Sequence, residues 1–121
     1  MSESRTQSEI LLGVGSLPDT RLFRNSTGFG FVTRTHVAGS RPITFGLHPG
    51  SGDLIGWKTV VITPEMVGRR LARFLSVEVK GDKTRVQGNQ IVWRDAVNAA
   101  GGIAVIGRSD AEVKLAIERC V

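Results

Sequence analysis

The N-terminal segment spaces its apolar residues as a helix does. They are Ile10, Val14 and Leu17. Two polar pairs nearby have the three-residue spacing of a capping box: Ser4 with Gln7, and Thr6 with Glu9. This pattern predicts a first helix, which Gly13 and Gly15 weaken and the segment LPDT ends.

Strand-forming residues fill the middle of the chain, with glycine and proline between the runs. Residues 22–34 mix strand formers with turn glycines. Beyond them the pattern predicts three strands, over about Ile43–Leu47, Asp53–Ile62 and Arg70–Lys80. A turn at Gly50–Gly52 is expected to join the first two of these strands.

Helical periodicity returns after the third predicted strand. The segment TRVQGNQIVWRDAVNAAGG predicts a second helix, with Thr84 and Gln87 as its capping pair. IAVIG then predicts a short buried strand, and Ser109 with Glu112 predicts the cap of a final helix. The order helix, three strands, helix, strand, helix predicts an α/β fold, a mixed sheet flanked by helices within a single domain over residues 1–121.

Charged residues interrupt the third predicted strand. Glu78 and Lys80 are two positions apart, which places them on one face of an extended chain. Asp53 begins the strand expected to be its antiparallel neighbour, so the two acids should converge at one sheet edge. Converging carboxylates repel unless a cation neutralises them, and oxygen ligands suit Mg²⁺ or Mn²⁺. The alternative interpretation is that Glu78 and Lys80 face solvent and Asp53 lies in a turn.

Gln90 is a polar residue within an apolar helical stripe. The residues that share its predicted face are Val86, Trp93, Val97 and Ala100. An amide in that position needs hydrogen-bond partners, which a metal-bound water or a phosphate could supply. A satisfied core amide is the alternative.

Composition narrows the class of protein. The 121 residues are 40% hydrophobic with both charge signs interspersed, which is typical of a soluble globular chain, and no apolar run approaches the ~20 residues that span a membrane. The single cysteine, Cys120, fits a reducing intracellular setting. A net charge of +5 permits a polyanionic partner such as nucleic acid without requiring one.

Several segments together resemble one family, the VRR-NUC domain of the PD-(D/E)XK nuclease superfamily. They are GSGDLIG, FLSVEVKGDKTRVQGNQ, a helix ending AAGG, and IAVIGR. The resemblance runs from Glu9 through LFRNSTG to about Arg108, and it is closest to the short stand-alone versions often encoded by phages. It implies a restriction-endonuclease-like αβββαβ core, here followed by a C-terminal helix.

The family's motifs imply roles for individual residues. The metal-binding aspartate matches Asp53, the E-x-K pair matches Glu78 and Lys80, and the carbonyl of Val79 completes the inner ligand set. The acid of the first helix matches Glu9, and a glutamine of the following helix matches Gln90. Gly52 replaces the proline of the superfamily's nominal motif, a change that this branch tolerates.

Two polar segments are weaker candidates for DNA contact. Lys83 and Arg85 lie just beyond Lys80, near a helix start that favours anions, and Asn25 and Ser26 form a polar turn. A solvated turn is the alternative interpretation of Lys83 and Arg85.

The resemblance implies a Mg²⁺- or Mn²⁺-dependent DNA endonuclease that leaves 5′-phosphates. Stand-alone members suggest cleavage of four-way Holliday junctions by a symmetric homodimer, in the cytoplasm of a bacterium or a phage-infected host, with no membrane partner. Cleavage of flaps or duplex DNA stays open. So do a DNA-binding module on the same fold and a small basic domain with a protein partner.

Overall fold

The computed structural model describes residues 2–33 and 39–120, which contain three helices and six strands. These elements divide into two units: the first ends at Lys58 and the second begins at Thr59. The mixture of helices with antiparallel and parallel strands agrees with the predicted α/β class. The predicted mixed sheet is not seen among the described residues, whose strands form two antiparallel pairs and one parallel pair. No helix in the described ranges is both long and apolar enough to cross a membrane.

The first unit contains one helix and four strands. They are α1 (Glu3–Gly15), β1 (Thr20–Arg24), β2 (Gly28–Thr33), β3 (Ser40–Phe45) and β4 (Leu54–Lys58). β1 pairs antiparallel with β4, and β2 pairs antiparallel with β3, so the β2–β3 pair lies between β1 and β4 in the sequence. The rings of Phe23 and Trp57 lie 5.6 Å apart on the β1–β4 pair. At Gly56 a Cβ atom would collide with the backbone of Arg21, so the close approach of these strands requires glycine.

Helix α1 begins at Glu3, before both of the predicted capping residues. The hydroxyl of Ser2 accepts a hydrogen bond from the backbone N–H of Arg5 at 3.2 Å, so Ser2, rather than Ser4 or Thr6, is the N-cap. The guanidinium of Arg24 fastens this helix to the end of β1. It donates to Gln7 Oε1 and to Ser8 Oγ, both at 3.1 Å.

The second unit is a parallel strand pair with two helices. Its elements are a short 3₁₀ turn (Pro64–Met66), β5 (Leu75–Val79), α2 (Gly88–Ala99), β6 (Ile103–Gly107) and α3 (Asp110–Arg119). β5 and β6 are parallel, with Glu78 opposite Ile106, and α2 is the crossover that such a pair requires. The helical crossover into a further strand was predicted from the sequence and is confirmed.

The buried apolar residues of the second unit lie on β6 and the facing side of α2. They are Val97, Ile103, Ala104 and Val105. Gly107, at the end of β6, allows α3 to come close, because a Cβ atom there would collide with the side chain of Val113. This core holds the strand that neighbours Glu78.

The predicted strand arrangement was wrong in four respects. Two strands, β1 and β2, precede the predicted three, and the strands flanking Gly50–Gly52 pair with β2 and β1 instead of with each other. β4 and β5 are shorter than predicted, and Asp53 lies one residue before β4. The expected pairing of the Asp53 strand with the Glu78 strand is replaced, since β4 pairs with β1 and β5 with β6. Residues 59–74, which include Pro64 and a positive φ at Gly68, are too long a connection for a tight hairpin.

Candidate active site

Strand β5 turns its polar side chains toward helix α2. Ser76 and Glu78 are half-buried, whereas the alternating residues Leu75, Val77 and Val79 are exposed. Lys80 follows directly, and its backbone N–H donates to the carbonyl of Gly107 at 3.0 Å, which continues the ladder beyond the strand. The same-face placement of Glu78 and Lys80 was predicted from their spacing and is confirmed by their contact.

Lys80 is the buried charged residue of this site. Its side chain is 5% exposed, and its Nζ lies 3.5 Å from Oε1 of Glu78, whose side chain is 41% exposed. Removing an ammonium from water is costly unless an anion accompanies it. Glu78 is therefore a counter-ion that Lys80 needs, and the pair combines a sheltered cation with an acid that solvent and ligands can reach.

Gln90 connects helix α2 to the same carboxylate. Its Nε2 donates to Glu78 Oε1 at 2.6 Å, and its Oε1 accepts from the backbone N–H of Gln87 at 2.9 Å. The amide is thus held at both ends. Gln90 and Lys80 both contact Oε1 of Glu78. Among the described residues no contact to Oε2 is seen, so this oxygen is open to a ligand.

The start of α2 differs from the prediction. The helix begins at Gly88 with Gln87 as its N-cap, and Thr84 lies in the preceding turn. Gln90 is consequently in the first turn of the helix, where its side chain accepts from the N-cap backbone N–H and also donates to Glu78. Val86, which was expected to share its face, lies before the helix.

A second polar contact fixes the register between α2 and β5. Trp93 Nε1 donates to Ser76 Oγ at 2.9 Å, three residues after Gln90 on the helix and two residues before Glu78 on the strand. At the other end of α2, the Asn98 amide makes two hydrogen bonds with the backbone of Ala104, at 2.8 and 3.2 Å. These contacts set the position of Gln90 relative to Glu78.

A cavity of about 410 Å³ opens beside these residues. Its lining combines the polar side chains of β5 and α2 with part of β6: Ser76, Glu78, Asn89, Gln90, Trp93, Arg94, Ala104, Val105 and Ile106. Glu78 is the acid in this lining and Arg94 the cation. A ligand that entered the cavity would meet the side chains of Glu78 and Arg94.

The turn that follows Lys80 is held by Arg108. The guanidinium donates from Nη1 to the carbonyl of Gly81 and from Nη2 to the carbonyl of Thr84, the latter at 2.9 Å. The backbone N–H of Arg108 donates to Glu112 on α3 at 2.9 Å. Lys83 and Arg85 are exposed in this turn, so their charges are presented on a segment with a fixed backbone.

Asp53 and Asn25 are joined by a backbone hydrogen bond in the first unit. Asn25 donates its backbone N–H to the carbonyl of Asp53 at 2.8 Å, and its side chain donates to the carbonyl of Gly52 at 2.9 Å. The side chain of Asp53 is exposed. Ser26 is also exposed. A Cβ atom on Gly46, whose φ is 78°, would collide with the carbonyl of Ser26.

Glu9 lies on α1, also in the first unit. Its carboxylate accepts a hydrogen bond from Arg5 Nε at 3.3 Å, one helical turn earlier, and it is 53% exposed. The structure thus brings Glu78, Lys80 and Gln90 into contact in the second unit, and Asn25 with Asp53 in the first.

The donor atoms match the chemistry of a hard divalent cation. Glu78 offers a free carboxylate oxygen, and Val79 offers a carbonyl at the end of β5; oxygen donors of this kind suit Mg²⁺ or Mn²⁺. Within either unit, the described residues include no cluster of three or more His, Cys, Asp and Glu side chains that could hold a metal. The oxygen donors described here for the second unit are thus one carboxylate oxygen and one backbone carbonyl.

Comparisons of the chain with protein-family models, curated proteins and solved structures give no significant match. The site is therefore defined by its own contacts.

Sequence reasoning missed the residues that support the site. Ser76 could have been found, since it shares the face of Glu78 two positions earlier. Trp93 was expected only as a member of the apolar stripe, because helical periodicity does not indicate which strand residue its indole N–H contacts. Arg108 carries no local signal, because its acceptors lie 24 and 27 residues earlier in the chain.

Proposed function

We propose that this protein is a metal-dependent DNA endonuclease of the VRR-NUC type, which hydrolyses phosphodiester bonds. The observation that carries the proposal is the buried ammonium of Lys80 beside the accessible carboxylate of Glu78. A structural ion pair has no need of a cavity at its open side or of a third residue, Gln90, to orient its acid. Charged side chains that are partly sheltered in a cleft are typical of catalytic sites.

The proposed metal ligands of the second unit are Glu78 and the carbonyl of Val79. The resemblance to the VRR-NUC family also implies a metal-binding role for Asp53 and, as an auxiliary acid, for Glu9. A bound Mg²⁺ or Mn²⁺ would supply positive charge to the phosphate and its leaving oxygen.

The chain's own residues orient the attacking water and stabilise charge on the phosphate. Lys80 Nζ holds the attacking water and stabilises the negative charge that grows on the phosphate oxygens. Gln90 keeps Glu78 Oε1 turned toward Lys80, which leaves Oε2 for the ligand. The water oxygen forms a bond to phosphorus and gives up a proton to solvent; the bond to the 3′ oxygen breaks, and that oxygen takes a proton. The products are a 5′-phosphate and a 3′-hydroxyl.

The proposed substrate is branched DNA, cut as a four-way junction by a homodimer. A net charge of +5 and the exposed cations Lys83 and Arg85 support a polyanionic partner. A twofold dimer suits a junction because two equivalent sites can cut opposed strands.

The test is cleavage of labelled four-way junction, flap, duplex and single-stranded DNA in Mg²⁺, Mn²⁺ or EDTA. Wild type is compared with Glu78→Gln, Lys80→Met and Asp53→Asn, and Asp95→Asn serves as a control because Asp95 is an exposed acid on α2. Paired junction cuts that need metal, survive in Asp95→Asn and vanish in the other three variants are the expected result. Binding of DNA without cleavage in either metal would instead favour a DNA-binding module.

A further inference from the structure

Asn25 has every polar atom of its side chain engaged within the first unit. Its Nδ2 donates to Ser51 Oγ at 2.7 Å and to the carbonyl of Gly52 at 2.9 Å. Its Oδ1 accepts from the backbone N–H of Leu47 at 3.0 Å. An asparagine amide has two donor hydrogens and one oxygen, so all three groups are in use.

These bonds join segments that are far apart in the chain. Leu47 follows β3, Ser51 and Gly52 precede β4, and Asn25 itself follows β1. One half-buried amide therefore connects the ends of three strands. Asn side chains commonly stabilise loops in this way, by hydrogen bonding to backbone groups.

The backbone of Asn25 acts on the same segment. Its N–H donates to the carbonyl of Asp53 at 2.8 Å, one residue beyond the last β1–β4 pair, Arg24 with Leu54. Asp53 is thus held through its own carbonyl and through Gly52 before it. Asn25, at the end of β1, therefore holds the backbone that carries the exposed Asp53 carboxylate.

We infer that Asn25 is a positioning residue for Asp53, and that it does not contact DNA as its place in a polar turn had suggested. A side chain whose donors and acceptor are all satisfied internally has none to offer a phosphate. The inference rests on the proposed function for the role of Asp53 in metal binding. The hold of Asn25 on residues 47–54 stands independently of it.

The test compares Asn25→Ala with Thr44→Ala, an alanine substitution at an exposed threonine of β3 in the same unit. Three quantities are measured: amide hydrogen exchange over residues 47–54, the free Mg²⁺ concentration for half-maximal cleavage, and the Kd for four-way junction DNA in EDTA. Asn25→Ala is expected to speed exchange at Leu47 and residues 51–54 by about tenfold or more, since it removes three hydrogen bonds. The Mg²⁺ requirement should rise about five- to tenfold, while the Kd in EDTA stays within about twofold of wild type. Thr44→Ala should change none of the three.

Ser51→Ala is the milder second variant, in case Asn25→Ala does not fold. It removes the acceptor of one Asn25 hydrogen bond and should shift exchange and Mg²⁺ requirement in the same direction by about two- to threefold. Unchanged exchange in either folded variant, or a raised Kd with an unchanged Mg²⁺ requirement, would overturn the inference. A wild-type protein that cuts no DNA in either metal would refute the proposed function, and the exchange comparison would still decide whether Asn25 holds the Asp53 segment.

Discussion

Gln90 donates its side-chain N–H to Oε1 of Glu78 across 2.6 Å, so a residue in the first turn of α2 fixes the acid of strand β5. The other end of the Gln90 amide is held by the backbone of Gln87, which prevents the amide from rotating away. Gln90 therefore works by orienting Glu78.

Replacing Gln90 with alanine should lower kcat by about 10- to 100-fold, the loss expected for one hydrogen bond to a charged group. The matched control is Asn89→Ala, which makes the same kind of truncation one residue earlier in the wall of the same cavity. Steady-state cleavage kinetics with the melting temperature of each variant are the measurement. Equal losses of kcat in the two variants would show that the orientation of Glu78 does not matter.

Burial, rather than distance, should decide the strength of the Glu78–Lys80 pair. A double-mutant cycle of Glu78→Gln with Lys80→Met is expected to give a coupling free energy of about 1–2 kcal/mol, because Glu78→Gln alone leaves a buried ammonium without its anion. Lys80→Met alone should cost little stability, since Glu78 is partly solvated.

The control cycle is Asp110→Asn with Lys114→Met on α3. That pair is closer, at 3.0 Å, yet 81% and 69% exposed. Its coupling should be below about 0.5 kcal/mol. Denaturant unfolding of both sets measures the comparison, and a larger coupling in the exposed pair would contradict it.

Local sequence patterns predicted the second unit better than the first. Ser109 does cap α3, accepting from the N–H of Glu112 at 3.1 Å, and β6 lies where IAVIG was expected. These features depend on neighbours within a few residues. The predicted Thr84 cap was wrong because the carbonyl of Thr84 is bound by Arg108 in a turn that ends before α2.

Strand pairing could not be read from the same patterns. The β1–β4 pair depends on the contact of Phe23 with Trp57 and on the close approach at Gly56, both between residues more than thirty positions apart. For the site, spacing correctly placed Glu78 and Lys80 on one face, and periodicity placed Gln90 on the inner side of α2. Two interpretations of Gln90 were open: a bound water or phosphate as its partner, or a satisfied core amide. The amide donates to Glu78 and accepts from the backbone of Gln87, so both of its ends have protein partners.

Arg108→Lys should loosen the turn after Lys80 while keeping the charge. A lysine has no planar fork with which to donate to the carbonyls of Gly81 and Thr84 together. Amide exchange over residues 81–87 should rise about three- to tenfold with the loss of one hydrogen bond, and cleavage should fall with it. Arg119→Lys, on an exposed residue of α3, should leave both unchanged. Amide exchange at the wild-type rate in Arg108→Lys would show that the turn does not depend on the Arg108 hydrogen bonds.

Lys83 and Arg85 should contribute to DNA affinity by direct phosphate contact. The double change Lys83→Gln with Arg85→Gln is expected to reduce the slope of log Kd against log salt by about 2, since each phosphate contact contributes roughly 0.9. Binding of duplex and junction DNA in EDTA over a range of salt concentrations measures the slope, and the loss should be similar for different sequences.

The control for this prediction is Lys114→Gln with Arg119→Gln, which removes the same two charges from exposed positions on α3. Two interpretations then separate. A slope that falls only for the Lys83 and Arg85 variant places phosphates against the turn that Arg108 holds. An equal fall in both variants would mean that the charge of the whole protein attracts DNA and that the turn makes no contact of its own, and an unchanged slope in both would remove the turn from the DNA-binding surface.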